Sequence, residues 1–454
     1  MGQNPEKRGT ADPTVSCYWA AARQPREPAP PLAGDLKVDV AVIGGGYTGL
    51  AAAYHLKTAD PGLDVAIVEA ETAGFGASGR NAGFVMTLFG SSAALMKLLH
   101  GGERVREAHQ FMVRAIGELE RIIGENAIDC DYERAGFLRV ATTPAYASRI
   151  RKDLELFQSL GIDGLEWVDR DWVASRICSP NVLGACWEPG CGSLHPAKWL
   201  DALGRLACGA GARLFEGTRV TRVRRDGGRY RLATPRGTVT ADKVVYATNG
   251  YTHLIPGMRS RQAPAFTYIV VTEPLTPEQR AAIGWSGRET IEDGRNFMHF
   301  YRLLRDGRVL MGGGPGLVPF GRNMDHDASP RAWDHLERFI GEAFPALAGV
   351  RVAHRWGGAF SVTADMTPQI GTLDGGGAVY SVGCTGHGVA LTQMNGQIIR
   401  DLVLGRKTDL TDLWFVNRRS WPMPPEPIRS AVARTVTTAM ALDDWWCDRA
   451  TARR

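Results

Sequence analysis

No stretch of this sequence stays apolar for long. The longest apolar runs, near residues 38–46 and 265–271, fall well short of the roughly 20 residues that span a bilayer, so no transmembrane helix is expected. Long basic runs are missing as well. The 53 Lys and Arg against 48 Asp and Glu leave a net charge of +5, too small and too scattered for an electrostatic footprint on nucleic acid. Cysteine occurs without pattern: Cys17, Cys130, Cys178, Cys186, Cys191, Cys208, Cys384 and Cys447 form no CxxC pair. A disulfide framework and a zinc site are therefore not expected, no other metal is called for, and a reducing cytoplasmic setting is the expectation. The first residues carry charge and proline where an export signal needs an apolar core, and Met1-Gly2 lacks the Ser/Thr of a myristoylation site, so neither targeting signal is expected.

What the chain does have is glycine, 54 of them in 454 residues, and their placement is informative. Residues 39–71 read "DVAVIGGGYTGLAAAYHLKTADPGLDVAIVEAE". A Val/Ile-rich run is the mark of a buried parallel strand; helical spacing follows from Tyr47 and Thr48 onward, and a second buried strand ends in acid. Gly44, Gly46 and Gly49 then have separate tasks: a tight turn, close approach of backbone to a pyrophosphate, and close packing of helix on strand. The free amides at the helix start face the phosphates. Glu69 ends the second strand, where a carboxylate accepts hydrogen bonds from ribose hydroxyls.

NAD and FAD both use such a cradle. Two later stretches favour FAD. The segment "GFGASGRNAGF", residues 74–84, offers Ser78, Arg80 and Asn81 to a pyrophosphate and a flavin edge. More than 300 residues downstream, "GAVYSVGCTGHGVALTQMNGQIIRDLVLG" reads as strand, glycine-rich turn and helix, as an extended FAD crossing a whole domain requires. Between them the spacing predicts helices over 103–124, 145–160, 195–211 and 330–343, strand at 130–142, and strand-rich sequence at 212–250, 265–274 and 298–314. Residues 1–35 read as a Pro-rich arm with Tyr18 and Trp19 as anchors.

The motifs "VAVIGGGYTGLAAAYHL", "GASGRNAGF", "LHPAKWLDAL", "DKVVYATNGYT", "DMTPQIG" and "GCTGHGVALT" stand in this order. In this the chain resembles FAD-dependent oxidoreductases of the D-amino-acid oxidase type, the group containing glycine oxidase and monomeric sarcosine oxidase, and within it the gamma-glutamylputrescine oxidase-like amine oxidases. The resemblance spans about residues 17–410 and leaves the Trp-rich tail unexplained. It implies an α/β fold: a discontinuous Rossmann-like FAD-binding domain (36–92, 192–258 and 350–412), a substrate domain on a mostly antiparallel sheet (93–191 and 259–349), and a tail from 413 to 454. It implies hydride transfer from the carbon bearing a neutral amine to the flavin, with molecular oxygen as acceptor. The turn at Gly383, Gly386, His387 and Gly388, with Val389 behind it, belongs to the flavin site, and Val220 and Gly250 complete the cofactor set. His387 is read as positioning the cofactor in preference to abstracting a proton. Cys384, beside the same helix start, is read as a buried apolar side chain in preference to an activated thiol. Tyr268, His299, Tyr301 and Arg302 fall on strands placed above the flavin, and Trp356 beside the ring.

Two departures bear on the substrate. Where glycine oxidase-like members place an arginine for the substrate carboxylate, this chain has Phe360, and where sarcosine oxidase-like members place a lysine, it has Ala390. Without those cations an α-amino acid loses its charge-assisted anchor, so a small-molecule amine is expected, with Phe360 as an apolar or cation-π wall. Gly358 stands where a covalently linking cysteine would be, so non-covalent FAD is expected. The alternatives are an amino-acid oxidase using Arg302, a dehydrogenase, and a flavin-binding subunit of a larger complex. The oligomeric state is left open.

Overall fold

The computed structural model describes residues 16–449; the start of the arm and residues 450–454 lie outside them. Two eight-stranded sheets form the frame. In the first, Leu36–Ile43 lies parallel between Val65–Val68 and Gly237–Tyr246. Arg213–Phe215 extends one side and Ala378–Val382 the other, both parallel. Antiparallel Gln369–Leu373 closes that edge. These short Val/Ile runs are buried on both faces, as parallel strands covered by helices are. The register aligns Ile43 with Val68 and Tyr246, and Tyr246 with Tyr380, so the strands end flush and their following loops share one edge.

Helices Tyr47–Ala59, Gly102–Glu125, Pro196–Gly209 and Gly388–Leu404 pack into one apolar core with this sheet. Small residues set the closest contact: a Cβ on Gly396 would lie 2.8 Å from Ala51. That approach joins the helix of the first glycine turn to the helix of the last one.

In the second sheet the strand order is Val352–Val362, Ala263–Thr272, Val309–Leu317, His299–Leu303, Thr290–Asp293, Phe137–Ala141, Gly184–Glu188, Glu166–Asp169. All pairs are antiparallel except Thr290–Asp293 with Phe137–Ala141. Helix Pro330–Ala343 covers one face, over Phe266, Tyr268, Val270, Tyr301 and Met311. The opposite face meets the second glycine segment. The stretch expected to enter the FAD domain at 350 therefore divides: its first strand, Val352–Val362, pairs in the second sheet.

The arm is anchored as its aromatics predict. Trp19 is 1% exposed and donates its indole N–H to Asn81 O at 2.7 Å, and Tyr18 donates to Asp306. The tail is a helix, Ile428–Arg449, held by Asp444, whose carboxylate accepts from the amides of Asn296 (2.8 Å) and Phe297 (2.9 Å). Among the described residues no helix is long and apolar enough to cross a membrane.

Candidate cofactor and substrate site

The flush strand ends open a crevice of the kind in which open parallel sheets bind ligands. At its centre Gly44 takes φ +110°, and a Cβ there would sit 2.7 Å from Ala247 O. Gly49 is tighter still, with a Cβ only 2.0 Å from Gly44 O. Gly46 faces Ser78, whose hydroxyl accepts from the Tyr47 amide at 2.9 Å. The helix Tyr47–Ala59 has no acid in its first turn, and Gly46 before it offers no side-chain cap, so beyond the Tyr47 amide its first donors have no side-chain partner. Helix Gly388–Leu404 starts the same way after His387. Two acid-free helix starts at one crevice match a ligand bearing negative charge at two places.

Glu69 points into the first turn, accepting from Gly45 N at 2.7 Å and from Glu71 N at 3.0 Å. Burial raises its pKa, and those two amides oppose the rise. Thr48 is the second residue of the helix, between Gly46 and Gly49. The last glycine turn is braced from behind. Ser361 Oγ accepts from Gly383 N at 2.9 Å and donates to Gln262, whose amide donates to Gly250 O. Thr385 N donates to Ser361 O, and Cys384 donates its thiol to Asn249 at 3.2 Å. Burial pushes the Cys384 thiol up, so the apolar reading of that residue fits and an activated thiolate does not. His387 Nδ1 is sealed from solvent with no partner, and burial lowers the imidazole to about 4. A neutral ring with an unused buried nitrogen suits a cofactor contact better than a cationic role. The residues present thus fit an FAD: Gly44–Gly49 and Glu69 would hold the pyrophosphate and ribose, and Gly383–Val389 the flavin end.

Other expected residues lie elsewhere or do other work. Arg80 spends its donors on Phe75 O, Gly357 O and Asp327, and Asn81 bonds Ala77 O, Ser78 O and Gly83 N. They shape the second glycine segment with bonds that leave little over for a ligand. Val220 packs partly buried in the core beneath the first sheet. Tyr268 and Tyr301 require correction. Side chains alternate along a strand, so Tyr301 points away from Phe300 and Arg302 into the helix-covered core beside Trp285 and Phe344. Tyr268 enters the same core. His299 stacks on Phe339, bonds Asp293 at 2.7 Å and His335 at 2.8 Å, again outside the crevice. Arg302 does face it, but donates to Leu194 O at 2.8 Å and Gly83 O at 3.4 Å, and burial lowers its pKa to about 10. Trp356 donates to Arg80 O. Phe360 is half-buried against Val318 and Met423, and Ala390 is fully inside the first core.

The sequence reading missed Gln262, Ser361 and Asn249, which brace the last turn, and Glu292. None of them left a clear signal in the sequence; Glu292 stands beside Asp293 in the strand "TIED", all four residues of which are buried.

A crevice braced in this way, faced by an antiparallel sheet across a glycine-rich segment, is how two-domain flavoproteins are built. Residues 39–402 match the family described as DAO, FAD dependent oxidoreductase, and the chain belongs to that family, whose cofactor is FAD. It is similar to gamma-glutamylputrescine oxidoreductase of Escherichia coli (strain K12), 31% identical over 416 residues, 90% of this chain and 93% of that protein. Glycine oxidase of Bacillus licheniformis is 25% identical, covering 84% and 98% of the two chains. Among solved structures, glycine oxidase from Geobacillus kaustophilus superposes with a TM-score of 0.70 at 22% identity, over 85% of this chain and 100% of that one. L-proline dehydrogenase from P. horikoshii gives 0.71 at 20%, over 85% and 97%. Those two superpositions bear on fold alone.

Proposed function

We propose that the chain oxidises the C–N bond of a primary or secondary amine lacking an α-carboxylate, with oxygen as electron acceptor and dissociable FAD. The observation that carries this reading is Arg302. Arg302 faces the crevice from the second sheet, and its two terminal nitrogens are spent on main-chain carbonyls, leaving only a buried Nε without a partner. Releasing it for a substrate carboxylate would strand Leu194 O, at about 1–3 kcal/mol, while Gly83 O would keep the Leu194 amide at 2.8 Å. Arg80 and Arg139 are likewise engaged, with Asp327 and Asp153. The name of the similar Escherichia coli protein, gamma-glutamylputrescine oxidoreductase, agrees with an amine.

The chemistry that bound FAD supplies is acceptance of two electrons, as a hydride, from the carbon carrying the nitrogen. The chain orients the amine against the second sheet, keeps the crevice dry with Phe84, Met86 and Phe300, and holds His387 neutral. Loss of the hydride and an N–H proton leaves an imine, which water converts to a carbonyl compound and ammonia or a smaller amine. The uncapped, acid-free helix start at Gly388 would favour negative charge on a flavin held by this turn. Support for non-covalent attachment is that Gly358 carries no nucleophile and its open side is filled by Arg80. Support for a reducing compartment is that all eight cysteines stand unpaired. In air, an amine should drive oxygen uptake matched by hydrogen peroxide. Reduction of an artificial dye with no oxygen uptake would make the chain a dehydrogenase instead.

A further inference from the structure

One carboxylate on the crevice side of the second sheet is buried without a partner. Glu292 is 5% exposed, and among the described residues its side chain makes no hydrogen bond or ion pair. The opposite charge acting on it is Arg139, already bonded to Asp153 at 3.0 Å. Isolated carboxylates are costly to bury, and here only the charge of Arg139 offsets that cost, without a hydrogen bond. Burial accordingly pushes its pKa up to about 7.

The register fixes where it sits. Ile269, Gly312, Phe300, Glu292, Arg139 and Cys186 are successive cross-strand partners, and partners in register share a face. Phe300 packs against Phe84 of the second glycine segment, ring centres 5.9 Å apart. Arg302, two residues along, bonds Gly83 O. Glu292 therefore lies beside Phe300 on the face turned to residues 83–86. Just beyond, a cavity of about 70 Å³ is lined by Arg139, Phe137, Thr87, Met96, Phe157 and Glu188. Its walls are largely apolar, and Glu188 within it is bonded to Thr87 at 2.6 Å.

We propose that Glu292 binds a second, distal cationic nitrogen of the substrate, so that the chain selects diamine-type molecules in which an aliphatic segment separates the reacting nitrogen from a charged one. This rests on the amine reading above. The rings of Phe84 and Phe300, in contact on this face, are the apolar surface for the aliphatic segment, and the distal cation supplies the partner that Glu292 lacks. The reacting nitrogen is the one that must be neutral; the distal one stays protonated.

The test uses the flavin-loaded enzyme and its Glu292→Gln variant, with diaminobutane and butylamine as probes. Half-saturating concentrations are read from anaerobic flavin bleaching, and binding is read separately from the shift in melting temperature. The wild type is expected to prefer the diamine, and E292Q to weaken it by about 10- to 100-fold, the worth of one charged hydrogen bond, while butylamine is unchanged or improved. The diamine-induced melting shift should vanish in the variant. Equal effects on both probes, or an unchanged diamine preference, would overturn the proposal and leave the amine reading standing. Bleaching by neither probe but by α-amino acids would overturn both. The wild type alone gives a check that does not depend on the variant folding. From diaminopropane to diaminohexane the half-saturating concentration should pass through a minimum, while matched monoamines improve steadily with length; parallel trends would also overturn the proposal.

Discussion

Replacing Gly49 by alanine isolates the contact on which the cofactor cradle depends. The new Cβ would lie 2.0 Å from Gly44 O and 3.2 Å from Val42 Cγ1, the first a backbone atom and the second on a buried strand. Neither can rotate aside, so the helix Tyr47–Ala59 has to move off the strand Leu36–Ile43. Overpacking of this kind costs about 1–3 kcal/mol, and the immobile carbonyl puts it at about 3. The better helix propensity of alanine returns about 1 kcal/mol, leaving a net loss of about 2 kcal/mol. Gly117 is the control: it lies in the exposed side of helix Gly102–Glu125 with nothing within 4 Å of its Cβ position, so G117A should stabilise by about 0.5–1 kcal/mol. Urea denaturation of both variants, with bound flavin read from visible absorbance per mole of protein, separates them. G49A should lose stability and flavin together, and G117A neither. If G49A kept its flavin and matched G117A in stability, the helix–strand contact would not be what forms the cradle.

Other perturbations have calculable directions. Trp19→Ala removes a side chain 1% exposed and the donor to Asn81 O, and should cost about 3–5 kcal/mol while loosening the second glycine segment, visible as faster flavin loss on dilution. Asp444→Ala strands the amides of Asn296 and Phe297 and should cost about 2–3 kcal/mol; limited proteolysis should then cut between 418 and 430 while flavin is retained. Burial lowers His55, His195 and His253, like His387, from 6.5 to about 4. The unfolded chain therefore takes up protons first between those values, so stability is complete above about 6.5 and falls as pH drops toward 4. A denaturation midpoint independent of pH across that window would refute the burial of these rings.

The parts of the molecule legible in sequence are those whose physics is local. The glycines of the first turn, the helices over 144–159 and 330–343, and Trp19 as an anchor follow from spacing and residue type, and the structure has them in place. What sequence could not assign was facing. Tyr301 and Arg302 are adjacent, yet one enters a helix-covered core and the other the crevice, and the choice depends on a strand register set by residues far along the chain. The strand Val352–Val362 reads as continuous with the flavin segment but pairs with Ala263–Thr272, because partner choice in a sheet is a tertiary matter. Arg80 and Asn81 look like ligands because they are polar and near glycines; their bonds go to the backbone that those glycines bend. Glu292 stands in a short strand with Thr290 and Asp293, and only its lack of a partner in three dimensions gives it meaning.

The most direct test of the account is an anaerobic titration of the purified yellow protein, following visible absorbance as diamines, simple amines, ω-amino acids and α-amino acids are added in turn. Bleaching by amines, with colour restored on admitting air, is the result predicted from an Arg302 closed on backbone carbonyls. Bleaching by α-amino acids alone would mean that a cation in the crevice is free to bind a carboxylate, and would contradict it.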